Sequence, residues 1–99
     1  MNKQELRDEL NTICDEIVKE IIEPVCTIKG VVADYWLADI AVYTTDDEVQ
    51  NQAIYEAIQE KYKLTEDEMM IIDSFTPLMQ IALYIYLGEA RPKYGPYGE

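Results

Sequence analysis

The chain has 99 residues, with 20 Asp and Glu against 8 Lys and Arg, a formal net charge of −12 and no histidine. Its length fits one domain, and 48% apolar residues is too many for a disordered acidic tail, which lacks the side chains that offset chain entropy. Direct binding to a phosphate backbone or an anionic membrane surface is not expected, since both require a cationic face.

The N-terminal MNKQELRDEL carries no apolar stretch of signal-peptide type. Cys14 and Cys26 lack CxxC spacing, and no His is present to complete a zinc site. The expectation is a cytoplasmic protein with two reduced, buried thiols. Leu6, Leu10, Ile13, Ile17 and Ile21 then recur at spacings of three and four, with Cys14, Val18, Ile22 and Val25 beside them. This is an amphipathic helix. At 100° per residue its other side carries Glu5, Asp8, Glu9, Asp15, Glu16, Glu20 and Glu23, with Lys19 among them. Pro24 predicts an end near Glu23.

The next segment, GVVADYWLADIAVYTT, has the β-branched and aromatic content of a strand. Strict alternation leaves neither of its faces cleanly apolar, whereas Ala33, Trp36, Leu37, Ile40, Ala41 and Thr44 follow a helical period. The spacing predicts a helix over 31–44, with the Trp36 side facing the core. Thr45–Glu48 and Thr65–Glu68 both read as capping boxes, and their acids complement the positive ends of helix dipoles. A third helix follows to about Lys63 and a fourth from Glu66 to about Ser74. Pro77 is read as the first residue of a fifth.

From Pro77 to Gly88, twelve residues carry one strongly polar side chain, Gln80. A membrane span needs about 20 mainly apolar residues, and the window Met69–Leu87 is broken by Asp73, Ser74, Thr76, Pro77 and Gln80. A helix apolar all round is a core helix. Candidates to surround it are the stripe of the first helix, the Trp36 face, Ile54 and Ile58, and Ile72 and Phe75. Tyr84 and Tyr86 leave a second option, an edge kept open for another copy or a target. The last stretch, RPKYGPYGE, repeats a Tyr-Gly unit at Tyr94 and Tyr97 around Pro96, and such extended aromatic segments dock into grooves. The expected architecture is all-α: a compact bundle of about five short-to-medium helices around an apolar C-terminal helix, one domain over 1–88, with an extended Pro/Gly/Tyr-rich tail over 89–99.

Enzymatic chemistry has little to draw on. Without His the usual base near neutral pH and the Ser–His and Cys–His pairs are missing, and no phosphate-binding glycine motif occurs. Glu16, Glu20 and Glu23 lie opposite the apolar stripe, not on the inward face a di-metal bundle needs. Asp46–Glu48 lacks the alternating ligands and Gly of a calcium loop. No catalytic residue, cofactor or metal is therefore expected. The acids themselves offer a function: a helix studded with carboxylates imitates the field of a nucleic acid. Its residues would be Glu5, Asp8, Glu9, Asp15, Glu16, Glu20 and Glu23, extended by Asp46, Asp47 and Glu48. In size, acidity and lack of catalytic groups the chain is similar in type to small phage-encoded inhibitors of nucleases and polymerases. The expected function is a small acidic protein-binding protein that blocks a basic nucleic-acid-binding protein without touching nucleic acid or membrane. The alternative is a structural or adaptor protein that assembles as a homo-oligomer through apolar helix faces. Tyr84, Tyr86, Tyr94 and Tyr97 are the apolar and aromatic contact candidates.

Overall fold

The first helix is longer than its proline suggests. In the computed structural model, which describes residues 2–26 and 34–94 and side chains up to residue 88, Asn2 caps it by accepting the Glu5 amide at 2.8 Å. An α-helical Lys3–Glu16 passes into π-helical Ile17–Ile22 and then a last turn, Glu23–Val25, without leaving right-handed geometry at the junctions. These parts together form α1. The expected end near Glu23 is overrun because the turns before Pro24 are widened. The Glu23 amide reaches back to the Val18 carbonyl, five residues away, where a tighter helix would press the proline ring against the carbonyl four residues before it.

Of the segment expected to be helical over 31–44, only Ile40–Thr44 (α2) is helical, and 31–33 lie outside the described residues. Two aspartates interrupt the period. The Asp34 carboxylate accepts the Trp36 amide at 2.9 Å and closes a turn. Asp39 then accepts the Val42 amide at 2.9 Å and starts a new helix as its N-cap. The inward side is consequently Ala38, Ile40 and Tyr43, with Tyr35 half-buried, while Trp36 is 57% exposed and Leu37 81%. The Trp36 face is not part of the core.

Thr45 and Asp46 take left-handed backbone, with φ of 51° and 58°. Thr45 is thereby spent ending α2, and Asp47, which accepts the Gln50 amide at 2.9 Å, caps α3 (Glu48–Tyr62) in its place. The capping box expected at Thr45 does not form. The one at Thr65 does: Thr65 accepts the Glu68 amide at 3.1 Å, and Glu68 accepts the Thr65 amide at 2.9 Å. It opens α4 (Glu66–Met70), which stops short of Ser74 because Ile71 leaves helical geometry and Asp73 accepts the Phe75 amide in a following turn.

The last helix, α5, spans Leu78–Tyr94. Pro77 precedes it and is not its first residue; its carbonyl accepts the Gln80 and Ile81 amides. The first amides of an isolated helix have no partner. Here Leu78 donates to the Ala38 carbonyl at 2.8 Å and Met79 to that of Tyr35 at 3.1 Å, beside an antiparallel bridge between Asp39 and Pro77. Gly88, which costs about 1 kcal/mol in a helix interior, does not end α5. The helix continues through 89–94, where extended chain was expected, and 95–99 lie outside the described residues.

These five helices make the expected all-α bundle. Leu10, Ile13, Cys14, Ile17 and Ile22 from α1 bury with Ile54 and Ile58 from α3 and Leu78, Ile81, Ala82 and Ile85 from α5. Ile72 joins them, but Phe75 is 64% exposed. Nor is α5 enclosed all round: Leu83, Tyr84 and Tyr86 are half-buried and Leu87 is 47% exposed. Among the described residues, no helix is long and apolar enough to cross a membrane.

Candidate functional site

The carboxylates of α1 fall into two groups with different surroundings. Near its capped N-terminus, Glu5, Asp8 and Glu9 are exposed and line one shallow depression with Thr12; the Gln4 side-chain amide donates to Asp8 at 2.8 Å. Further along, the acids meet other elements. Asp15 accepts the Tyr35 hydroxyl and Glu16 that of Tyr62, the latter at 3.1 Å. Glu20 pairs with Lys61 of α3 at 3.1 Å. Glu23 lies near Tyr43, whose phenol pKa is pushed up to about 12, chiefly by burial and then by the Glu23 charge. Burial also raises the Tyr35 pKa, assisted by the bond to Asp15 and its charge.

All seven acids are thus carried on one uninterrupted helix. At 1.5 Å per residue over the α-helical part, Glu5 and Glu16 stand about 16.5 Å apart along its axis. An ionised carboxylate has about four acceptor sites, so one donated hydroxyl fixes Asp15 or Glu16 in position and leaves its charge in place. Glu20 differs, because Lys61 offsets its charge locally; an exposed pair of this kind contributes at most about 1 kcal/mol.

Asp46, Asp47 and Glu48 do not simply extend this face. Asp46 closes a polar network: one of its carboxylate oxygens accepts the Asn51 side-chain amide and the Ser74 hydroxyl, both at 2.9 Å. Asn51 in turn accepts the Thr44 hydroxyl at 2.6 Å, and Thr44, Asn51 and Ser74 are all buried. Tyr55 is hydrogen-bonded with Ser74, and its phenol pKa is raised by burial first and by the charges of Asp73 and Asp46. The α2–α3 turn is in this way tied to the α4–α5 connection. Asp47 is occupied as a cap. Glu48 alone of the three is an exposed helix-face acid, lying with Val49, Gln52, Ala53 and Glu56 on the outer side of α3.

Of the aromatic candidates, Tyr84 and Tyr86 do not converge. Tyr84 accepts the Gln80 side-chain amide at 2.7 Å. Tyr86, two positions on, points to the other side of α5, since residues i and i+2 of a helix do not share a face. The side chain of Tyr94 and all of Tyr97 lie outside the described residues.

Cys14 and Cys26 are both buried and free. Burial, with the Asp15 charge adding to it, pushes the Cys14 thiol up to about 12, which disfavours the thiolate a nucleophile requires. Among the described residues, no three His, Cys, Asp or Glu side chains come together as metal ligands. The sequence reading missed the Thr44–Asn51–Asp46–Ser74 network, and the only trace of it is the polar run at 44–47. Comparison with protein-family models, with curated proteins and with solved structures returns no match.

Proposed function

We propose that this chain is a non-enzymatic protein-binding protein that presents α1 to a basic surface of its partner and occupies the place of a nucleic acid there. The observation that supports this reading is the exposure of Glu5, Asp8 and Glu9 on a helix that goes on, unbroken, to carry Asp15 and Glu16 pinned by tyrosine hydroxyls. Side chains already ordered lose less entropy on binding. The surrounding negative field raises the encounter rate with a basic target. In the finer form of the proposal the partner is a nuclease, polymerase or other nucleic-acid-binding protein, and the chain acts as its inhibitor in the manner of phage-encoded examples.

The test is capture of partners from cell extract by the immobilised wild-type chain and by the variant Glu5→Lys, Asp8→Lys, Glu9→Lys. The reading expects basic nucleic-acid-binding proteins on the wild type, lost in the variant, lost as salt rises beyond the range where a Debye length of about 8 Å applies, and eluted by duplex DNA. Partners retained equally by both chains would refute it.

A second reading, assembly as a homo-oligomer, draws on the 47% exposure of Leu87 beside half-buried Leu83 and Tyr84. It expects a closed oligomer in analytical ultracentrifugation that Leu87→Glu dissociates.

A further inference from the structure

A different part of the surface combines apolar groups with charge of one sign. Met70 is 81% exposed, Ile71 55%, Phe75 64% and Val42 39%. Such side chains scattered singly need no explanation, but the elements that carry these adjoin one another. The Ala41 amide donates to the Ser74 carbonyl at 2.9 Å, which sets Val42 and Phe75 next to bonded neighbours. Met70 and Ile71 end the helix from which that same connection departs. The Ser74 hydroxyl is held by Asp46 at 2.9 Å, and the Phe75 amide by Asp73 at 2.8 Å. Phe75 therefore stands on a connection held by the Asp46 and Asp73 carboxylates, with Val42 across the Ala41–Ser74 bond and Met70 and Ile71 just before it in the chain.

Among the described residues, neither carboxylate is paired with a Lys or Arg. Residues 34–60 and 64–90, which include all six of these apolar and acidic residues, contain no Lys, Arg or His. A two-fold contact of this surface with its own copy would bring the Asp46 and Asp73 carboxylates of both chains into one interface, and like charges brought together there are costly. An anionic membrane is disfavoured on the same ground. We infer that the surface formed by Val42, Met70, Ile71 and Phe75 docks a cationic amphipathic segment of a partner protein, whose apolar side chains cover Phe75 and Ile71 while its Lys or Arg residues meet Asp46 and Asp73. This rests on the reading of the chain as a binder of basic proteins, and adds a second contact surface with an apolar anchor, which charge imitation on α1 does not require. Buried aromatic anchors ringed by polar contacts carry most of the affinity of protein interfaces.

The probe is a synthetic Leu/Lys peptide with one apolar helical stripe, titrated into the isotope-labelled full chain and followed by NMR. A control peptide keeps the lysines and replaces each Leu by Ser. The amphipathic peptide is expected to shift the amide signals of Val42, Ile71 and Phe75 and to bind at least about tenfold more tightly than the control. Phe75→Asp, at an exposed position where folding is preserved, should remove that difference. The variant Glu5→Gln, Asp8→Asn, Glu9→Gln should keep it. Equal binding of the two peptides, or shifts confined to α1, would overturn the docking surface while leaving the charge-based reading intact. A concentration-dependent dimer that Phe75→Asp dissociates would assign the surface to a second copy and overturn it too. Loss of control-peptide binding in the α1 variant bears on the charge-based reading alone.

Discussion

Replacing Asn51 by Ala probes the network that joins the α2–α3 turn to the α4–α5 connection. Asn51 is 6% exposed, accepts from Thr44 at 2.6 Å and donates to Asp46 at 2.9 Å. Each such bond contributes about 0.5–1.5 kcal/mol net. Two compensations limit the loss. The Thr44 hydroxyl lies 3.2 Å from the Ile40 carbonyl and can turn to it, and Asp46 is exposed enough for water to replace the lost donor. With no buried orphan created, the cost is about 2 kcal/mol, a sizeable part of the 5–15 kcal/mol that is typical of domains. In a domain of this size that lowers the melting temperature by about 8–16 °C. Urea denaturation followed by circular dichroism should show a lower midpoint with an unchanged slope. Because Ser74 shares the same Asp46 oxygen, Asn51→Ala and Ser74→Ala should be non-additive by about 0.5–1 kcal/mol. A cost for Asn51→Ala below about 0.5 kcal/mol, or strict additivity, would refute the claim that these groups act together.

Other outcomes follow from single positions. Lys63 ends α3 with φ of 55°; Lys63→Gly relieves the left-handed strain and should stabilise the chain by about 1 kcal/mol in the same urea assay. Ile85 is 1% exposed, so Ile85→Asp should abolish cooperative unfolding in calorimetry, whereas Leu83→Asp, at a half-buried site, should leave a folded but weakened domain. Stability should also fall at alkaline pH. The unfolded chain releases the Tyr43 proton from about pH 10, while the folded chain holds it to about 12. The contribution of that neutral phenol is therefore present below pH 10 and lost as pH rises through 12. Urea midpoints at pH 8 and 11 should differ less for Tyr43→Phe than for the wild type.

Much of the bundle was legible in the sequence where one signal acted alone. The α1 stripe from Leu10 to Ile22, the Thr65–Glu68 capping box and the apolar run of α5 each obey a local rule, and the structure carries all three. Legibility fails where two rules compete for the same residue. In 34–44, apolar spacing points to one helix, yet Asp34 and Asp39 each accept a nearby amide and divide it, turning Trp36 outward. Thr45 could cap the next helix or end the previous one, and it ends the previous one. Pro24 is accommodated only because the preceding turns widen, which no residue pattern announces.

The candidate site shows the same division. Helical periodicity was enough to place Glu5, Asp8 and Glu9 on a solvent face, where all three are exposed. The partners of Asp15, Glu16 and Glu20 come from residues 20 or more positions away, as the separations of 20, 46 and 41 show. Such pairs depend on how α1 packs against α3 and the 34–38 turn. The exposed Phe75 was read as core for the same reason: its apolar character is local, and its position is set by the bonds of Asp73 and Ser74.

The central claim is that α1 serves as the binding face for a basic partner. Its most direct test is calorimetric titration of a captured partner with the wild-type chain and with Glu5→Lys, Asp8→Lys, Glu9→Lys, each at low and physiological salt, after circular dichroism confirms that both chains are folded. The account predicts at least about a tenfold loss of affinity in the variant, a steep decline with salt for the wild type and a shallow one for the variant. Equal affinities and equal salt dependences for the two chains would contradict it.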